Sequence, residues 1–239
     1  MKVRDLPLKH YIGRMARNKY FSFVRYGDGE FKTLYRNRGR NGRSQEINPR
    51  LHAHMEKSLI ECPKSGIYFG LQRGMLRTDE STHRVIEYLR RKQLNLKWVN
   101  GDVFHLASKS GQLFPLIRQM RRMRVVMVSP EFHKRIVNRI FKYQIFIRVP
   151  TTNAYGAYNR IANSIRAAYK QLGDDVVYSF SAGPAAEILI QDLFPEIKNS
   201  YLIDFGSLWD IFCGHRSRKY MSKEKYSSAK IHRNLGLRT

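Results

Sequence analysis

Two carboxylates flank a glycine in the run Arg25-Tyr26-Gly27-Asp28-Gly29-Glu30, directly after the apolar stretch Phe21-Ser22-Phe23-Val24. Carboxylates two apart on a turn can share a hard divalent cation, directly or through water. Magnesium or manganese bound this way bridges phosphate oxygens of a nucleotide, which makes Asp28 and Glu30 candidate metal ligands. Arg25 can hold a phosphate or orient a carboxylate, and Gly27 and Gly29 let backbone approach a donor. The structural alternative is that Asp28 caps a helix while Glu30 favours its positive end. Asn100-Gly101-Asp102 brings a third carboxylate after another apolar run, and Ile203-Asp204-Phe205-Gly206-Ser207 a fourth. Either can take a proton from an attacking hydroxyl; Asp102 is the first candidate base because it lies outside the proposed metal motif, Asp204 the second, and His105 a further possibility. In Ser181-Ala182-Gly183-Pro184-Ala185-Ala186-Glu187, small residues precede a helix whose unpaired N–H groups can cradle a phosphate, with Ser181 and Gly183 nearest. Thr152 and Asn153 offer a hydroxyl and an amide for a sugar or base. Capping and tight strand-to-helix packing are the alternatives for these last segments.

Each of these groups follows a strand-like run, and that placement requires a particular scaffold. Strands are expected at 21–25, 67–71, 96–99, 125–128, 145–149, 176–180 and 201–203, alternating with helical patterns at 7–18, 28–36, 153–172 and 184–193, and with a helix of about a dozen residues capped by Asn48-Pro49. Such alternation predicts an α/β, Rossmann-like layered sandwich with a mostly parallel sheet, in which ligands bind beyond the carboxyl ends of the strands. The polar, Gly-rich, basic stretch 37–44 reads as a mobile loop. One domain is expected over 1–214, followed by a basic tail over 215–239 with eight Lys or Arg against one Glu.

Composition narrows the chemistry. The 239 residues include 44 Lys and Arg against 19 Asp and Glu, for a net charge of +25, and 42% are hydrophobic, ample for a packed core. Cys62 and Cys213 have no CxxC spacing, and the eight histidines form no Cys/His cluster, so neither a disulfide framework nor structural zinc is indicated. The chain has no Walker-A lysine, no dinucleotide fingerprint and no GxSxG elbow, which weakens the ATPase, NAD and nucleophilic-hydrolase readings. No apolar run is long enough for a membrane span and the N-terminus lacks a signal-peptide centre, so a cytosolic protein is expected.

Taken in order, the motifs resemble those of the GT-D-fold glycosyltransferases. Phe23-Val24-Arg25-Tyr26-Gly27-Asp28-Gly29-Glu30-Phe31 looks like the family's opening turn. Trp98-Val99-Asn100-Gly101-Asp102, Val149-Pro150-Thr151-Thr152-Asn153-Ala154-Tyr155, Ser181-Ala182-Gly183-Pro184-Ala185-Ala186 and Ile203-Asp204-Phe205-Gly206 look like its later sheet-edge motifs, over roughly residues 20 to 210. The resemblance implies a nucleotide-sugar donor and a metal-linked Asp-x-Glu motif, here Asp28 and Glu30. One departure is Ser207, where the family often places His.

The acceptor is read from charge. Arg36, Arg38, Arg40 and Arg43 in the loop, with Arg216, Arg218 and Lys219 in the tail, form candidate acceptor-binding positions for a polyanion. The concrete expectation is a bacteriophage-type enzyme adding a sugar to a hydroxymethylated pyrimidine in DNA, in the host cytoplasm. The rivals are an enzyme held at an anionic membrane surface, acting on a lipid-linked or surface glycan, and a non-catalytic nucleic-acid binder. No protein partner is inferred.

Overall fold

The computed structural model describes residues 2–41, 45–76, 79–218, 221–222 and 225–237. In chain order the elements are α1 (Leu8–Met15), β1 (Phe21–Tyr26), α2 (Asp28–Tyr35), β2 (Gly39–Asn41), β3 (Gln45–Ile47), α3 (Pro49–Glu61), β4 (Ile67–Leu71), α4 (Asp79–Arg91) and β5 (Trp98–Asn100). They continue with α5 (Val103–Ser110), α6 (Phe114–Met120), β6 (Arg124–Ser129), β7 (Ile145–Arg148), α7 (Tyr158–Leu172), β8 (Val176–Phe180), α8 (Pro184–Leu193), β9 (Tyr201–Asp204) and α9 (Ser228–Leu235). Single 3-10 turns occur at Arg73–Leu76, Glu131–Asn138, Ala154–Ala157 and Asp210–Cys213.

Seven strands form one parallel sheet in the order β5-β4-β1-β9-β8-β6-β7. Its central strands are buried along their whole length, as a sheet covered on both faces requires. One face packs against α2, α3, α4, α7 and α8, with Phe31, Leu51, Val85, Ile161 and Leu189 in the core. The other packs against α1, α5, α6 and the turn after β9, with Tyr11, Phe104, Ile117 and Trp209. Beyond its carboxyl end β1 therefore leaves to one face and β9 to the other. Between neighbouring parallel strands that arrangement opens a crevice.

The expected strands are all present, within about two residues of the expected bounds. Asn48 caps α3 as expected, its side chain accepting from the Leu51 N–H at 2.9 Å. Two segments differ. The stretch read as a mobile loop contains β2, which pairs antiparallel with β3 just beyond it, Arg40 opposite Glu46. Polarity of the hairpin concealed it, because the apolar alternation of a half-buried strand is absent. The basic segment beyond residue 214 is also not a free tail: α9 packs on α5 and α6, and buried Asn234 accepts from the Leu113 N–H (2.9 Å) and donates to the Ser108 carbonyl (2.7 Å). A helix anchored through one asparagine and two half-buried apolar side chains, Ile231 and Leu235, leaves little periodicity to read.

Candidate active site

At the carboxyl end of β1 the Arg25 side chain is buried (8% exposed), and the groups around it come from the ends of β5 and β9 and from α8. Its Nε donates to the Gly101 carbonyl at 2.9 Å, while its terminal nitrogens lie 3.9 Å from Asp102 and 3.7 Å from Asp204. The Arg25 N–H points at Glu187 Oε1 at 3.4 Å. Glycine makes this crowding possible. A Cβ on Gly206, whose φ is +53°, would stand 2.3 Å from the guanidinium, and one on Gly101 would stand 2.8 Å from the Leu71 backbone.

The guanidinium thus faces Asp102 and Asp204, Glu187 lies at the Arg25 N–H, and Glu30 is near enough to feel the charge. Burial pushes Glu30 up to about 7, against the opposing effect of the Gly27 N–H and Arg25. It pushes Asp204 upward as well, and raises Glu187 well above the carboxylate range, aided by repulsion from Asp204 and Glu30. Glu187 lies within hydrogen-bonding reach of Asp204, a contact that favours the charged form of Asp204 against its burial. Glu187 was not among the sequence-derived candidates. Its signal was a carboxylate inside an otherwise apolar helix, PAAEILIQDL, now 1% exposed.

The Asp-x-Glu pair divides. Glu30 turns back to accept from the Gly27 N–H at 2.8 Å, whereas Asp28 is 71% exposed and pairs with Lys32 at 3.1 Å. Residues two apart on a helix point in different directions, so both structural roles considered from sequence are present. Among the described residues no group of three or more His, Cys, Asp or Glu is arranged to hold a metal ion.

Asp102 is the accessible carboxylate of the cluster, 26% exposed against 7% for Asp204. Its Oδ2 accepts from the Arg73 N–H at 2.9 Å, and its own N–H donates to Asn100 Oδ1 at 3.0 Å. Asn100 is buried and donates in turn to Asp5 at 2.9 Å, so it braces the turn that presents Asp102. Asp204 Oδ1 accepts from the Gly206 N–H at 2.8 Å. His105 is buried, and desolvation with the positive charges of Arg25 and Arg218 drives its pKa well below the usual value. Gly27 packs beneath the Gln72 side chain, a neighbour that no sequence signal disclosed.

The other expected donor contacts sit at the same edge of the sheet but farther along it. Ser181 is buried, and its hydroxyl meets no hydrogen-bond partner among the described residues. Gly183 opens α8 with φ +55° and empty space at its Cβ position. Gly29 lies within α2, its carbonyl accepting from Thr33 at 3.0 Å. Thr152 is exposed. Asn153, at φ +52°, spends its Oδ1 on the Glu46 N–H at 2.7 Å and so clamps the β2–β3 hairpin to the sheet edge.

Of the acceptor positions, Arg36, Arg38 and Arg40 are exposed beside or on β2, and Arg218 is exposed beyond the turn at Asp210–Cys213. Arg216 is directed inward to the carbonyls of Met221 and Tyr226, holding the C-terminal segment. Arg43 and Lys219 lie outside the described residues.

No protein-family model and no curated protein sequence matches the chain. Solved structures do. A domain of unknown function 1792, described as having a distinct glycosyltransferase fold, aligns at TM-score 0.61 and 16% identity over 99% of this chain and 91% of its own. A glycosyltransferase of the same domain from Streptococcus sanguinis aligns at TM-score 0.63 and 17% identity over 100% and 95%. The chain is similar to both throughout its length, and the likeness shows that it has the α/β fold carried by those glycosyltransferase domains.

Proposed function

We propose that this protein is a glycosyltransferase that moves a sugar from a nucleoside-diphosphate sugar to a hydroxyl on a polyanionic acceptor, in its most concrete form a hydroxymethylated pyrimidine in DNA. The observation that carries the transfer reaction is the Arg25-centred carboxylate array, built at the carboxyl edge of a parallel sheet in a fold shared with glycosyltransferase domains. Net charge of +25 carries the acceptor class.

In this reading Asp102 takes the proton of the acceptor hydroxyl. It is exposed enough to touch substrate, and Asn100 and the Arg73 N–H fix its direction. Arg25 orients Asp102 and Asp204 instead of meeting the donor, since its guanidinium is already enclosed. Gly183, Ser181 and the N–H groups opening α8 receive phosphate oxygens, with Thr152 at the rim. The oxygen ligands suit a hard divalent cation. Asp28 and Glu30, the expected ligands, point apart on α2, so they would hold magnesium or manganese together only if Glu30 swung away from the Gly27 N–H. The Lys32 pair now occupying Asp28 is an exposed i,i+4 contact worth only about 0.5 kcal/mol, so it yields readily. When bound, the ion supplies positive charge to the departing nucleoside diphosphate.

The test is incubation with a panel of nucleotide sugars, manganese and DNA containing hydroxymethylated pyrimidines, followed by mass analysis of the nucleosides. A sugar-sized mass increase is expected on those bases alone. Transfer only to a lipid-linked or glycan acceptor would reject DNA and keep the transferase. No transfer and no donor hydrolysis under any condition would reject both.

A further inference from the structure

The four helices α1, α5, α6 and α9 contain no Asp or Glu at all. The absence extends through the connecting chain, since residues 6–27 and 103–130 also lack any acidic side chain. Of the helices on the opposite face of the sheet, α7 also lacks acidic residues, but α2, α3, α4 and α8 carry nine between them. A basic protein with scattered charge would not segregate its carboxylates this way. The asymmetry between the two faces exists only in three dimensions, because α1, α5, α6 and α9 are dispersed from residue 8 to residue 235.

These helices form one layer: α5 and α6 each pack against both α1 and α9. Lys109, Arg118 and Arg233 on these helices, with Arg17, Arg122 and Lys225 on the chain adjoining them, are all exposed. The nearest carboxylates at the lower rim are already engaged, Asp175 by the Tyr20 hydroxyl and Asp174 by Tyr169 (2.7 Å) and Asn199 (3.2 Å). At usual helix spacings the α1 and α9 axes stand about 20 Å apart. Duplex DNA presents about a dozen phosphates over that length, at one charge per roughly 1.7 Å.

We infer that the carboxylate-free layer of α1, α5, α6 and α9 is the surface that holds the phosphodiester backbone of a duplex, while the carboxyl edge beside it performs the chemistry. The layer borders that edge because α5 begins immediately after Asp102. The guanidinium groups match phosphate geometry, and contact through backbone charge needs no base readout. A lipid surface fits less well. The exposed large apolar side chains on this layer are two separate leucines, Leu106 and Leu237, with no exposed aromatic anchor beside them. The inference rests on the polyanionic-acceptor reading for its occupant, but its test uses no sugar transfer.

Two variants isolate position from total charge. One reverses Arg17, Lys109, Arg118 and Arg122 to Glu; the other reverses Lys57, Arg90, Arg91 and Lys170, exposed on the opposite face. Both lower the net charge of +25 by the same eight units. Binding of a fluorescent duplex of about 20 base pairs is followed by anisotropy across salt concentrations, without nucleotide sugar. If about six phosphates are neutralised, the wild-type slope of log affinity against log salt is about −5; the layer variant should fall to about −2 and bind at least about a hundredfold more weakly at 0.1 M salt. The opposite-face variant should keep the wild-type slope. The paired Arg118→Gln, Arg122→Gln variant, milder for folding, should reduce the slope by about 2. Equal weakening by both reversal sets would overturn the inference, as would wild-type protein that ignores the duplex but binds mixed phosphatidylcholine–phosphatidylserine vesicles. If the duplex binds as expected yet no base is glycosylated, the surface stands and the acceptor assignment falls.

Discussion

Glu30→Gln should make the protein more stable and less active, and the stability gain should depend on pH in a defined direction. Burial holds Glu30 at about 7 in the folded protein, against 4.5 for an ordinary glutamic acid. Below 4.5 the carboxyl is protonated in both folded and unfolded chains, and it costs the fold nothing. Between 4.5 and 7 the unfolded chain releases its proton while the folded one keeps it, so stability falls as pH rises, levelling off above about 7. That difference in proton affinity corresponds to about 3 kcal/mol. Glutamine cannot ionise and escapes the penalty, which already includes the help that the Gly27 N–H gives the charged form. The net gain at pH 8 is about 3 kcal/mol, or roughly 6–12 °C in Tm for a chain of this size. Thermal melts of both proteins from pH 4 to 8, without divalent ions, measure it: the curves should meet near pH 4 and separate above pH 5. Addition of manganese at pH 8 should raise the wild-type Tm and leave the variant unchanged, while sugar transfer by the variant falls at least about a hundredfold. A variant less stable than wild type at pH 8, or a difference independent of pH, would refute the account of this cluster.

Asp102→Asn should fold normally, since asparagine keeps an acceptor for the Arg73 N–H, yet lose at least about a hundredfold in single-turnover transfer; an unchanged rate would remove Asp102 as base. Gly101→Ala would place a Cβ 2.8 Å from strand backbone that cannot move aside, and should lower stability by about 2 kcal/mol or more in denaturant titration. Asn234→Ala removes the two hydrogen bonds that fasten α9 and should cost about 2 kcal/mol, with limited proteolysis cutting first within residues 225–237.

The sheet was legible because its strands are short apolar runs ending in polar, glycine-bearing turns, and the parallel order followed from the helical patterns between them. The carboxyl-edge motifs were legible for the same reason: Arg25, Asp102 and Asp204 each lie within two residues of a strand's carboxyl end. What a linear reading could not supply was side-chain direction. Asp28 and Glu30 look equivalent in the string DGE, but one position on α2 faces solvent and the other faces the core. Asn153 looks available to a ligand until β2–β3 is seen resting on it. Glu187 lies one helical turn inside α8, and only the packing of α8 against β1 brings it to Arg25. The acid-free layer escaped notice because no single window of sequence contains it.

The pairing of β1 with β9 has a consequence for how the protein comes into being. Phe21, Ser22 and Phe23 lie beside Tyr201, Leu202 and Ile203, so β1, an interior strand of the sheet, waits for β9, the last of the described strands in chain order, before its second edge is covered. At synthesis rates of about 5–20 residues per second, that interval is on the order of 10–40 s. Throughout it a hydrophobic strand has β4 on one side and an open row of amides and carbonyls on the other. Arg25 is likewise without Asp204 until β9 arrives, so the charge cluster at the sheet edge is completed only after that strand has been made. A chain truncated before residue 200 would present that uncovered edge permanently, as a template for aggregation.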